Sequence, residues 1–150
     1  MQSIAKDLEA ILQQHFSTLK SLDESILAHK SSPVKWSKKE IIGHLTDSAQ
    51  CNVRRFVMAQ YEENPTIVYN QEKWVTIVGY QQWNSNDLTD LWHLLNRQIC
   101  EILKNTTAGT AQRQCRTEEL HTIEWLAQDY IKHLKHHLHQ VLELEPVAYP

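Results

Sequence analysis

The chain has 150 residues and a mass of 17.6 kDa, enough for one domain over residues 1–150 with its own core and no need of disulfide or metal staples. A hydrophobic fraction of 41% with only three glycines and four prolines argues for long helices and against a loop-rich or all-β architecture. A formal charge of −3 leaves no basic footprint for nucleic acid, and the absence of any apolar run of about 18 residues argues against a membrane span.

The first segment, MQSIAKDLEAILQQH, is charged and amphipathic from its start, unlike a signal peptide, so a cytoplasmic protein is expected. Ile4, Leu8, Ile11, Leu12, Leu19, Leu22 and Ile26 recur at helical spacing and predict one helix over about residues 3–29. After HKSSPVKW, Ser37 and Glu40 form a Ser-x-x-Glu capping box, flanked by Trp36 and Ile41 as a hydrophobic staple. The second helix is predicted from Ser37 to about Tyr61, with Ile41, Leu45, Ala49, Phe56 and Ala59 inward. Some twenty residues without clear period follow Pro65, and their aromatic content predicts a packed crossover rather than a floating loop.

Asn84, Ser85 and Asn86 are cap candidates for a third helix, in which Leu88, Leu91, Trp92, Leu95, Ile99 and Ile102 keep helical spacing to about Asn105. Residues 105–121 are polar and read as extended or irregular. Thr122 is the expected N-cap of a fourth helix running to about Glu143 and stopped by Pro146. Four such helices describe an all-α four-helix bundle. Cys51, Cys100 and Cys115 are an odd number without metal spacing, which reads as reduced thiols, Cys51 being packed rather than nucleophilic.

The last helix carries four histidines in DYIKHLKHHLHQ. Placed on a wheel against Ile123, Ala127, Ile131, Leu134, Leu138 and Val141, His133 and His137 border the core while His136 and His139 face water. His-x-x-x-His sets two imidazoles one turn apart, within reach of one divalent ion, and His44 on the second helix borders the core in the same way. Two readings stand: three ligands with an open coordination position, or three hydrogen-bonded histidines at a bundle margin. Asp129 continues the stripe and either supports a ligand imidazole or meets solvent. His15, His29, His93 and His121 have no partner pattern and read as surface or packing residues.

Trp36-Ser37 with Glu40, His44-Leu45-x-Asp47-Ser48, and Asp129-Tyr130-x-x-His133-x-x-His136-His137-Leu138 resemble the DinB-like superfamily, which includes bacillithiol and mycothiol S-transferases. Tyr69-Asn70-Gln71, Trp74, Tyr80, Leu88 and Trp92 extend that resemblance over most of residues 36–142. It implies an up-down-down-up bundle with a long crossover between helices 2 and 3, often paired as a homodimer. It also implies a nickel or zinc ion on His44, His133 and His137. By that analogy the expected activity is a metal-dependent thiol S-transferase or hydrolase on a small molecule, using a low-molecular-weight thiol or water as nucleophile. The alternative is a non-catalytic bundle that only binds metal or ligand. Asp47 would orient a ligand or move a proton, or be a solvated carboxylate; Tyr69, Gln71, Trp74 and Tyr80 would wall the pocket, or simply pack.

Overall fold

The computed structural model describes residues 1–149. Its long helices are α1 (Gln2–Lys20), α3 (Lys38–Met58), α5 (Ser85–Asn105) and α7 (Ile123–Leu142), with short helices α2 (Glu24–Ala28), α4 (Gln71–Val78) and α6 (Ala108–Ala111) between them. Strands β1 (Gln114–Arg116) and β2 (Leu120–Thr122) form an antiparallel hairpin before α7. No described helix is long and apolar enough to cross a membrane.

Side-chain contacts fix the directions of the four long helices. Lys20 of α1 pairs with Asp90 at the start of α5 at 2.8 Å, and Glu9 near the other end of α1 pairs with Lys104 at 2.5 Å, so α1 and α5 are antiparallel. Gln60, just past α3, bonds Thr106, just past α5, at 3.3 Å, which makes those two parallel. Lys38 at the start of α3 meets Glu143 beyond the end of α7 at 2.7 Å, so that pair is antiparallel. The outcome is the up-down-down-up bundle, α1 against α5 and α7, α3 against α5 and α7. Leu8, Leu45, Phe56, Trp92, Leu134 and Leu138 are among its fully buried side chains.

Three of the four expected helix starts coincide with capping chemistry. The Ser37 hydroxyl accepts from Glu40 N–H at 3.1 Å, and Glu40 Oε2 accepts from Ser37 N–H at 2.7 Å, completing the capping box. Asn84 and Thr122 cap α5 and α7 through their side chains. The first helix differs: it breaks at residues 21–23, and α2 turns away, its Glu24 bonding Lys39 Nζ at 2.6 Å. Periodicity carries through that break because Leu19, Leu27 and the partly buried Leu22 still pack inward, whereas the break itself has no apolar signature.

The crossover between α3 and α5 is folded throughout. Residues 65–67 bond to Arg116 beside the hairpin, Asn70 caps α4, and Gly79 ends it in the left-handed conformation with φ 68 before a single 3-10 turn, Tyr80–Gln82. The segment then lies on the outer face of α3. Consequently Ile42 to Ala49 are buried on nearly all sides, not only on the inward stripe.

Candidate metal centre

His44 enters from α3, two turns in from the Ser37 cap, and His133 and His137 enter from the antiparallel α7. Their donor nitrogens lie within 4.8 Å of one another, with His44 Nε2 and His133 Nε2 2.9 Å apart. The rings meet edge to face, with centroids 4.6–4.9 Å apart in all three pairs. His44 is fully buried, with Trp36 at 5.1 Å against its ring, and His133 and His137 are half-buried. The staple residue Trp36 therefore covers the back of the cluster.

Burial holds all three imidazoles neutral. Desolvation first and the neighbouring His137 second push His44 down to about 3. Desolvation, then the charges His44 and His137 would carry, push His133 down to about 2. His137 is lowered by desolvation too, opposed by its hydrogen bond to Gln140. Gln140 Oε1 accepts from His137 Nδ1–H at 2.8 Å, a tautomer that leaves the Nε2 lone pair free to face its neighbours.

The donor set fits a divalent ion. Nitrogens about 2.0–2.1 Å from a tetrahedral ion stand about 3.3 Å apart, between the shortest separation here, 2.9 Å, and the 4.8 Å limit of the cluster. Without an ion, the Nε2 atoms of His44 and His133 share one hydrogen bond, and the His137 Nε2 lone pair takes part in none among the described residues. The cluster is thus only partly satisfied by protein alone.

His133 and His137 open onto a cavity of about 660 Å³, large enough for a small molecule; His44 sits behind them. Its walls come from a polar stripe on α3 (Ser48, Asn52, Arg55), from Tyr69 and Gln71 at the start of the crossover helix, from the hairpin turn at Thr117–Glu119, and from α7. The C-terminal tail closes one side: Tyr149 O–H donates to Asp129 Oδ2 at 2.9 Å, and its ring lies 5.2 Å from that of His133.

Several expected positions move. Of the four pocket candidates, Tyr69 and Gln71 line the cavity; Trp74 packs edge-on to Tyr69 at 5.3 Å behind the wall. Tyr80 is a core residue whose O–H donates to Asp47 Oδ1. Asp47 is likewise buried, not solvated, and does not line the cavity, which removes it from direct proton transfer there. Burial raises its carboxyl to about 6 against the lowering effect of the Tyr80 bond. Asp129 bonds Tyr149 rather than a ligand imidazole.

His136 and His139 are not fully solvent-facing. The tail folds over them, Val147 O meeting His136 Nδ1 at 2.6 Å and Glu145 O meeting His139 Nδ1 at 2.5 Å, and His136 joins the cavity lining. The wheel placed their direction and could not foresee an irregular segment returning over it. Ser48, Asn52 and Arg55 were missed although a signal existed: with His44 they recur at spacings of four, four and three, one polar line along a single face of the helix. Tyr149 and the hairpin turn have no comparable periodic signature.

Comparison with known proteins places the chain among related sequences and folds. A 141-residue alignment relates the chain, at 27% identity, to a protein of Halalkalibacterium halodurans named as a putative metal-dependent hydrolase, covering 92% of this chain and 82% of the relative. A protein of Oceanobacillus iheyensis with the same form of name is 27% identical over 113 residues, 73% of this chain and 64% of that protein. Among solved structures, YfiT of Bacillus subtilis, described as a probable metal-dependent hydrolase with an unusual four-helix bundle topology, superposes with a TM-score of 0.76. It is 22% identical and covers 95% of this chain and 82% of its own, a likeness of fold. The sequence profile of the DinB superfamily matches residues 7–141, and the chain belongs to that superfamily.

Proposed function

We propose that the protein is a metal-dependent hydrolase of a small molecule, with a divalent ion, nickel or zinc, held by His44, His133 and His137. The observation that carries this reading is the convergence of three neutral imidazoles at the edge of a 660 Å³ cavity, His133 and His137 in its lining and His44 behind them. When bound, such an ion supplies Lewis-acid activation of water or a substrate oxygen near neutral pH. The names of the two curated relatives support the reaction class.

The chain's own groups complete the site. Gln140 holds His137 in the tautomer that presents Nε2, and Trp36 shields His44 from water. Asp129 lies one turn before His133, lines the cavity and accepts the Tyr149 proton, so it is the carboxylate placed to take a proton from attacking water. Cys51, Cys100 and Cys115 take no part: all are buried, and desolvation raises Cys51 and Cys100 to about 11.

Elemental analysis of purified protein tests the centre, with near-stoichiometric metal expected in the wild type and a loss of at least tenfold in affinity in His44→Ala and His133→Ala. A panel of esters, amides and lactones, run with and without chelator, tests the chemistry. Chelator-sensitive hydrolysis, lowered about 10²–10⁴-fold in Asp129→Asn, is the expected result. Turnover that appears only with an added low-molecular-weight thiol and an electrophile would make the protein an S-transferase at the same centre. Bound metal with no turnover in either assay would make it a binding protein.

A further inference from the structure

Arg55 is the one basic side chain, histidines aside, in the cavity lining, and the metal chemistry does not use it. Its side chain is half-buried on the third of three successive polar positions below His44, and it lines the same cavity as His133 and His137. Nε and Nη2 both donate to the carbonyl of Ile67, at 3.2 and 3.1 Å, and Nη1 reaches Asn52 Oδ1 only at 3.5 Å. A guanidinium carries five N–H donors, so this pinning fixes the plane of the group and leaves the Nη1/Nη2 edge largely unused. Among the described residues no carboxylate pairs with it; the ion pairs involve Lys20, Lys30, Lys38, Lys39 and Lys104. A half-buried cation held rigidly, with no carboxylate within ion-pair distance, is open to the negative charge of a ligand in the cavity.

We infer that Arg55 is the anchor of a carboxylate-binding subsite, and that the substrate of the metal centre is a small molecule with a carboxylate distant from its reacting group. The inference rests on the hydrolase reading for the word substrate, but the subsite stands on Arg55 alone. Planar, two-pronged recognition is what a guanidinium edge offers a carboxylate. A phosphate dianion is disfavoured, because Glu118, Glu119 and Asp129 line the same cavity and Arg55 is its sole arginine or lysine. Eleven residues separate His44 and Arg55 on α3, about 16 Å of helix, shortened by the tilt of the arginine side chain toward the helix start. The acid and the reacting group are therefore several bonds apart. Ser48 and Asn52 lie between them and would meet the polar middle of an extended ligand.

The test is equilibrium binding of benzoate, 3-phenylpropionate and 5-phenylvalerate, each beside its uncharged amide, followed by calorimetry and by quenching of Trp125, which lines the cavity. At least one acid is expected to bind about tenfold or more tighter than its amide in the wild type. Arg55→Met should abolish that preference while amide binding and metal content stay unchanged. Because Arg55 also holds Ile67, Asn52→Asp provides a second route: it places a carboxylate beside the guanidinium and should abolish the preference with Arg55 retained. If no acid is preferred over its amide, or if the preference survives both variants, the inference is overturned. A preference that disappears on chelation but persists in Arg55→Met would place the acid on the metal, overturning the subsite and leaving the hydrolase reading intact. A preference that depends on Arg55 in a protein that never binds metal would do the reverse.

Discussion

His44 and His133 carry their burial as a pH-dependent cost. Their folded-state values, about 3 and about 2, lie below the ordinary 6.5, so below pH 6.5 the unfolded chain takes up protons that the folded chain refuses. Metal-free protein should therefore lose stability as pH falls from 6.5 toward 3, and His44→Ala should flatten that loss; urea midpoints at pH 7.5, 6 and 5 check it. Asp47 has the opposite sign. Its folded value, about 6, lies above the ordinary 3.8, so its contribution weakens as pH rises from about 4 to 6. Asp47→Asn should remove that component while Tyr80 keeps an oxygen to bond, and the wild-type-minus-variant difference in midpoint between pH 4.5 and 7.5 isolates it. The three histidines were legible because a wheel needs only a face. The burial of Asp47 was not, because it depends on the crossover covering a face that the inward stripe of α3 leaves unassigned.

At the scale of elements, the crossover is seated on α3 through one close approach. A Cβ at Gly43 would stand 2.1–2.6 Å from the Tyr80 ring, so glycine is the residue that lets Tyr80 lie flat there and reach Asp47. Gly43→Ala must push Tyr80 out and is expected to cost about 1–3 kcal/mol or more, read from chemical denaturation. Ser37→Ala should cost about 1 kcal/mol by removing the cap of α3, and more if the Gln81 bond to the same hydroxyl, 2.7 Å, is missed as well. Caps and stops were readable at Ser37, Asn84 and Thr122, where local side-chain chemistry decides the boundary. The kink after Lys20 was not, since the apolar spacing runs on through it; beyond it, Glu24 pairs with the buried Lys39. The hairpin at Gln114–Thr122 escaped for a similar reason: three-residue strands are too short to show a period.

For the whole molecule, the bundle order followed from four amphipathic segments and a resemblance, while the cavity walls came from everything between and after them. Crossover, hairpin turn and tail each contribute residues whose placement depends on segments far away in sequence. The tail is held to α7 by His136, His139 and Asp129 and buries little apolar surface, so a chain ending at Glu143 should keep its melting temperature within a few degrees. It should also exchange metal with chelator faster, as followed by absorbance of the chelate. The same strap has a bearing on how the protein is handled. Because residues 145–149 run beside His133 and His136, a polyhistidine handle fused to the C-terminus would hang over the proposed metal site and offer rival imidazoles at high local concentration. Metal content measured on such a fusion would report the handle, and an amino-terminal handle, cleaved before analysis, gives the protein's own stoichiometry.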